Sequence, residues 1–276
     1  MDLKVYLKEQ CARVDAALDI VLPKETDVPG SVHKAMRYSV FAGGKRLRPI
    51  LALAACQAVG GDTEAAISAG CAMEMIHTYS LIHDDLPSMD NDDYRRGKLS
   101  CHKAFDEATA ILAGDALLNK AFEVMLSGKH NENYIKAVKF ISDCSGINGM
   151  IKGQALDLSL NKNVDEESLI ELSINKTSKL IVASMVSVGI YFGVSNNELK
   201  ALNGFSENYG IAFQISDDIL DFESKDSKNF AKILGLSKAS EELDIFSKKA
   251  LDAITTFRER GEFFVELIKA NIGRKG

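Results

Sequence analysis

The residues with the clearest capacity for chemistry are aspartates gathered in two places. His83 to Gly97 reads HDDLPSMDNDDYRRG, and five of the ten residues from 84 to 93 are aspartate. Gln214 to Asp221 reads QISDDILD and adds three more. Pro87 makes regular helix beyond Leu86 unfavourable, so Asp84, Asp85 and Asp90 gather at the C-terminal end of an apolar helix. That end of the helix dipole repels anions, and adjacent carboxylates repel one another. Asp217 and Asp221 stand at i and i+4, one turn apart on a helix face, with the same conflict. A bound divalent cation removes it in both places. Carboxylates with no His or Cys in a ligating pattern favour Mg²⁺ over Zn²⁺, and Mg²⁺ usually binds phosphate as well as protein. One acidic run at a helix end is ordinarily a solvated surface; two runs, each flanked by apolar helix, point to a site. An EF-hand is excluded, because no Asp-rich loop carries Gly at position 6 and Glu at position 12. Glu74 and His77 form one Glu-x-x-His, but a di-iron bundle needs two, and no other histidine has Glu three residues before it.

Cations lie close by in sequence. Gly43-Gly44-Lys45-Arg46-Leu47-Arg48-Pro49 places three of them in a tight turn between helices, and Arg95-Arg96 follows the first acidic run. Lys45 and Arg48 read as anion binders; standing alone, the motif would read as helix C-capping by surface cations. His77 lies seven residues before Asp84, two turns along the same face. A lone histidine on an apolar helix is ordinarily a core residue, and this spacing favours a ligand role instead. Acidic groups suited to Mg²⁺ beside basic groups suited to phosphate describe a site for polyphosphorylated substrates.

These groups need a helical scaffold. The 276 residues contain four prolines, none after Pro87, which argues against a loop-rich β architecture. Apolar residues recur at helical spacing and no stretch alternates with period two, predicting helices over roughly 2–22, 31–42, 49–59, 63–86, 103–127, 133–155, 166–193, 196–222, 230–256 and 260–272. Ser31 is the expected N-cap of the second, Ser195 with Glu198 forms a capping box, and Gly43-Gly44 and Gly60-Gly61 are stops. The helices around 65–86 and 180–194 are apolar nearly all round and belong in the middle, with amphipathic helices wrapped about them. No linker divides the chain, so a single all-α domain over 1–276, a bundle of about ten or more helices, is expected.

The net charge of −6 argues against a nucleic-acid surface. The two aspartate stretches hold eight of the 39 acidic residues, leaving 31 against 33 basic elsewhere, so the deficit is local. Five widely spaced cysteines without a Cys-x-x-Cys pair indicate neither a disulfide framework nor a thiolate metal site and fit a reducing cytoplasm. The N-terminus lacks a signal-peptide pattern, and the longest uncharged apolar run, fifteen residues from Leu180 to Val194, is too short for a membrane span.

In order and spacing, the turn at 43–49, the run at 84–97, Gln154 to Asp157, Lys176-Thr177 and the motif at 214–221 resemble the signature set of the trans-isoprenyl diphosphate synthases (polyprenyl synthetases), most closely bacterial farnesyl diphosphate synthases. The resemblance implies the isoprenoid synthase fold, all-α around a central cavity, and usually a homodimer. It implies head-to-tail condensation of isopentenyl diphosphate with an allylic diphosphate, dimethylallyl or geranyl. Ionising the allylic C–O bond leaves a carbocation and a pyrophosphate whose growing charge cations can stabilise. By resemblance, Asp84, Asp85 and Asp90 would hold two Mg²⁺, and Asp217 a third, with Asp218 and Asp221 in support. Arg95, Lys176, Thr177 and Gln214 would contact the allylic substrate, and Lys45, Arg48, His77 and Arg96 the isopentenyl diphosphate. The departing pyrophosphate would take the final proton.

Product length is expected to depend on what lies beneath the first motif, where Tyr79 and Ser80 precede Asp84. An aromatic five residues before the motif, with Pro87-Ser88 inserted in it, resembles the farnesyl-forming type, and Tyr79 is expected to floor the pocket. Geranylgeranyl or geranyl diphosphate is the alternative product. A class I terpene cyclase would not need a second set of phosphate cations, and a non-catalytic partner subunit would be expected to lose one aspartate motif. One departure from the family is the short segment from Phe222 to Gly235, without the usual Gly-Lys; Lys225 or Lys228 is expected to substitute.

Overall fold

A computed structural model describes residues 1–127, 131–160, 164–223 and 228–274. The architecture is all-α, as expected. The helices are α1 (Leu3–Val21), α2 (Gly30–Val40), α3 (Leu47–Ala58), α4 (Thr63–Asp84), α5 (Cys101–Ala104), α6 (Glu107–Leu126), α7 (Glu132–Ser145), α8 (Met150–Ser159), α9 (Glu166–Ser173), α10 (Lys179–Phe192), α11 (Asn196–Leu220), α12 (Phe230–Leu234), α13 (Leu236–Ile254) and α14 (Glu262–Ile272). A two-stranded hairpin, β1 (Tyr94–Arg95) and β2 (Lys98–Leu99), follows the first aspartate motif.

Four expected helices are interrupted, each for a local reason. The span 103–127 divides at Phe105, and Asp106 caps α6 by accepting from the Thr109 N–H. The span 133–155 breaks between Gly146 and Gly149, where a Cβ on Gly149 would overlap the Cys144 backbone. The span 230–256 breaks at Gly235, which has φ +83°. Within 166–193 the chain stays helical but widens into one π turn, Ile174–Ser178, closed by the Lys179 N–H donating to the Ile174 carbonyl. Ser195 and Glu198 form the expected capping box. Ser31 caps nothing: α2 begins one residue earlier, with Pro29 in the cap position.

The chain packs as two compact units, residues 4–53 with 63–130, and residues 1–3, 54–62 and 131–276. The core of the first comes from Val14 and Leu18 of α1, Met36 and Val40 of α2, Ile50 and Leu51 of α3, Met73 and Ile76 of α4, and Ala113 and Leu117 of α6. In the second, every residue of α10 from Leu180 to Gly189 is buried, as its uniformly apolar sequence requires. Phe205 and Tyr209 of α11 stack at 5.5 Å, with Phe264 of α14 against Phe205. Each such side chain contributes roughly 1.5–3 kcal/mol by leaving water.

Candidate active site

In the first unit, α4 delivers Asp84 and Asp85 to its C-terminal end, both buried, at 8% and 2% exposure. The chain then reverses. The Met89 N–H reaches the Leu86 carbonyl at 2.9 Å, and the Asp90 N–H donates to the Asp84 carbonyl at 2.9 Å. That bond satisfies a helix-end carbonyl and brings Asp90 beside Asp84. Asp85 is engaged by Arg95, whose Nε donates to Oδ1 at 2.9 Å and whose terminal nitrogen also bonds it. Burial raises the Asp85 carboxyl above its ordinary range and outweighs the Arg95 charge. Arg95 reaches Asp92 as well, at 3.2 Å.

The hairpin exists to present these arginines. Arg96 and Gly97 form its two-residue turn, with φ of +54° and +77°, the geometry of a type I′ turn. Period-two patterning could not reveal strands of two residues. Arg96 donates to the Gly43 carbonyl. A Cβ on Gly44 would lie 2.5 Å from the Arg96 guanidinium carbon, so the Gly43-Gly44 pair, which follows the Phe41 cap of α2, seats Arg96.

Arg46 locks the adjoining turn. It is 3% exposed, holds φ +48°, and binds Asp15 Oδ1 at 2.7 Å, Glu74 Oε1 at 2.9 Å and the Gly43 carbonyl at 3.1 Å. Glu74, half of the Glu-x-x-His pattern, therefore serves an ion pair. Lys45 on one side is exposed, and Arg48 on the other is half-buried. His77 feels four guanidinium groups. Burial first, then Arg48, Arg96, Arg95 and Arg46, hold its imidazole well below the usual histidine range, so it is neutral at pH 7. Burial and the like charges of Arg46 and Arg95 also lower Arg96. Crowded cations around a neutral hydrogen-bonding ring form a place where an anion is favoured.

Tyr79 is 5% exposed, edge-on to His83 at 5.8 Å, and its hydroxyl is buried without a hydrogen bond. Desolvation pushes the phenol up to about 12. Ser80 turns inward to its own helix, donating to the His77 carbonyl at 2.8 Å.

In the second unit, Asp157 of α8, Lys176 and Thr177 of the π turn, Gln214 and Asp218 of α11, and Lys228 line a cleft of about 410 Å³. Lys176 Nζ donates to Asp157 Oδ2 at 2.5 Å, and Lys228 Nζ binds Asp157 Oδ1 and its carbonyl. Burial opposes the Asp157 charge, but the two ammonium groups prevail and hold its carboxyl below the ordinary range. Thr177 Oγ1 donates to Gln214 Oε1 at 3.1 Å, and Gln214 Nε2 donates to Asp218 Oδ1 at 2.9 Å. Asp218 also accepts the Phe230 N–H at 2.8 Å, so it secures the start of α12. Asp217 meets Arg274 at 2.5 Å, while Asp221, one turn on, closes α11 and is exposed. Lys225 lies outside the described residues.

Asp157, Arg274, Arg46 and Glu74 hold these contacts without a role that the motifs assign them. Asp157 left a signal as the acid of a Gln-x-x-Asp segment among the matching motifs, Arg46 as a cation of the turn at 43–49 and Glu74 as half of Glu-x-x-His. Arg274 has none, being 57 positions from its partner and just beyond the end of α14.

The family model for polyprenyl synthetases matches residues 29–240. A farnesyl diphosphate synthase from Micrococcus luteus is 42% identical over 254 residues, covering 86% of this chain and 87% of its own. Geranylgeranyl pyrophosphate synthase 4 of Arabidopsis thaliana is 44% identical over 247 residues, covering 88% of this chain and 66% of its own. Among solved structures, an FPP/GFPP synthase from Zymomonas mobilis superposes with a TM-score of 0.92 at 34% identity, covering 99% of both chains. A geranyltransferase from Legionella pneumophila also gives 0.92, at 37% identity, covering 99% and 98%.

Proposed function

This chain belongs to the polyprenyl synthetase family and is a prenyltransferase, and from that premise we propose that it condenses isopentenyl diphosphate with dimethylallyl and geranyl diphosphates, giving farnesyl diphosphate and pyrophosphate. One observation carries the reading: in one unit Arg95 binds Asp85 of the first aspartate motif, with Arg48 and Arg96 beside His77, and in the other Lys176 and Lys228 meet on Asp157 in a cleft that Gln214 and Asp218 of the second motif also line. Two anion-binding groups suit a reaction of two diphosphates, whereas a terpene cyclase binds one. In this reading both units act as one catalytic domain over 1–276.

The candidate metal residues are Asp84, Asp85 and Asp90, with Asp217 and Asp221. Their oxygen donors fit Mg²⁺. Among the described residues no three acidic, imidazole or thiolate groups converge into a ready-made cage. Mg²⁺ is usually held by one or two carboxylates and completed by phosphate oxygens, and three such ions would be shared between these aspartates and the diphosphates. When bound, Mg²⁺ would supply positive charge to the departing diphosphate.

The chain's own groups do the rest. Lys45, Arg48, His77 and Arg96 bind the isopentenyl diphosphate. His77, being neutral, contributes a hydrogen bond rather than a charge. Arg95, Lys176 and Lys228 take up negative charge as the allylic C–O bond breaks. Thr177 and Gln214 set dipoles toward the developing cation, their orientation held by Asp218. The released pyrophosphate accepts the final proton.

Tyr79, as the wall beneath the first motif, would stop growth at fifteen carbons. Similarity to a geranylgeranyl synthase at 44% identity supports a twenty-carbon product as the second reading. The enzyme would act as a cytoplasmic homodimer; no helix among the described residues is long and apolar enough to cross a membrane. Purified protein with labelled isopentenyl diphosphate, each allylic starter and Mg²⁺ should yield a fifteen-carbon product on chromatography. A twenty-carbon product would select the second reading, and absence of turnover would end both. Tyr79→Ala should lengthen the product; one that remains at fifteen carbons would remove Tyr79 from the pocket.

A further inference from the structure

Lys176 and Thr177 ride on the π turn Ile174–Ser178, and what holds that turn in place is an approach of backbones that only glycine permits. Gly153 of α8 lies against the backbone of residues 175 and 176. A Cβ there would sit 2.5 Å from the Lys176 Cα and 2.7 Å from the Asn175 carbonyl carbon. From α11, Gly210 lies against Ser178, where a Cβ would be 2.7 Å from both its Cα and its Cβ. Ordinary carbon contacts are about 3.5–4.0 Å, so either methyl group would require roughly 1 Å of extra separation from the turn.

Both helices repeat one arrangement. Four residues after Gly153, on the same face, Asp157 receives Lys176 Nζ. Four residues after Gly210, Gln214 receives Thr177 Oγ1. Each helix thus meets the turn's backbone with a glycine and one of its side chains with a polar group one helical turn later. Glycine inside a helix disfavours the helix by about 0.5–1 kcal/mol relative to alanine, so local propensity does not explain either residue.

We infer that Gly153 and Gly210 are positioning residues for Lys176 and Thr177, acting through the backbone of the π turn. The inference rests on the proposed role of Lys176 and Thr177 toward the allylic diphosphate. A misplacement of about 1 Å at a reacting group can cost on the order of 100-fold in rate.

The test is steady-state kinetics of the full-length protein, with KM measured separately for geranyl and isopentenyl diphosphates and Tm measured for every variant. Gly153→Ala and Gly210→Ala should each raise the geranyl KM and lower kcat by about tenfold or more. The isopentenyl KM should stay within about twofold, because Lys45, Arg48, His77 and Arg96 are untouched. Gly189→Ala serves as a matched control. Its Cβ would crowd side-chain ends, those of Leu199 and Leu202 at 2.8 and 2.9 Å and of Val194 at 3.3 Å, and its kinetics should match wild type.

Unchanged geranyl KM and kcat in both variants would overturn the inference, as would equal losses for the two substrates or the same split in Gly189→Ala. If Gly153→Ala does not fold, Gly210→Ala decides; if neither folds, the glycines serve folding alone and the inference is wrong. Lys176→Ala separates the layers. Should it lose activity while the glycine variants keep theirs, only the positioning role falls; should it match wild type, the assignment of Lys176 falls and takes this inference with it.

Discussion

Among single residues, Lys228 and His77 give the sharpest tests. Lys228 shares Asp157 with Lys176, so Lys228→Ala should raise the KM for the allylic diphosphate about tenfold and leave that for isopentenyl diphosphate unchanged, a loss near 1.4 kcal/mol of the kind a charge-assisted phosphate contact supplies. Equal KM values in mutant and wild type would remove Lys228 from the site. For His77 the pH dependence has a definite sign. Its folded pKa is depressed by burial and four arginines, so below about pH 6.5 the unfolded chain binds a proton that the native state does not. Stability therefore falls on acidification from about pH 6.5 toward the folded pKa, by at most about 1.4 kcal/mol per pH unit. Denaturant unfolding at pH 7.5 and pH 5 should show a wild-type loss that His77→Gln reduces, by at most about 2 kcal/mol, and equal losses in the two proteins would contradict it. Counting turns along α4 sets His77 two turns before Asp84, but its depressed pKa depends on guanidinium groups delivered by other elements.

Turns and helix ends decide more here than helix interiors do. Arg46, Glu74 and Asp15 join α1, α4 and the turn before α3, and the Arg46–Glu74 pair is almost fully buried, with both side chains 2% exposed. Glu74→Ala leaves a buried guanidinium with its carbonyl contact and the half-exposed Asp15, and should destabilise the protein by about 3–5 kcal/mol, read as a lower denaturant midpoint at unchanged slope. A loss below about 1 kcal/mol would show that the turn does not need this pair. The helical stretches were legible because apolar spacing and caps such as Ser195 with Glu198 act within a few residues. The hairpin at 94–99 and the π turn at 174–178 were not. A strand of two residues carries no period, and a π turn differs from an α turn by one residue of hydrogen-bond register, which the apolar pattern of 166–193 does not record.

Across the whole molecule, the proposed activity ties Mg²⁺ to diphosphate. Because Mg²⁺ usually completes its coordination with phosphate oxygens beside one or two carboxylates, Mg²⁺ and pyrophosphate should stabilise the protein jointly and each alone only weakly. At about 100 times Kd the pair should add near 2.7 kcal/mol, visible as a rise of several degrees in Tm that EDTA abolishes along with turnover. A full shift with Mg²⁺ alone would indicate a preformed metal site instead. The amino-acid sequence by itself determined the all-α class, the family and the two aspartate motifs, because helix periodicity and motif spacing are short-range properties written along the chain. Only the tertiary structure decided which carboxylates take protein cations: Asp85 with Arg95, Asp217 with Arg274, and Asp157 between Lys176 and Lys228. Such pairs span up to 71 positions, and their strength follows from burial and distance, which no local pattern encodes.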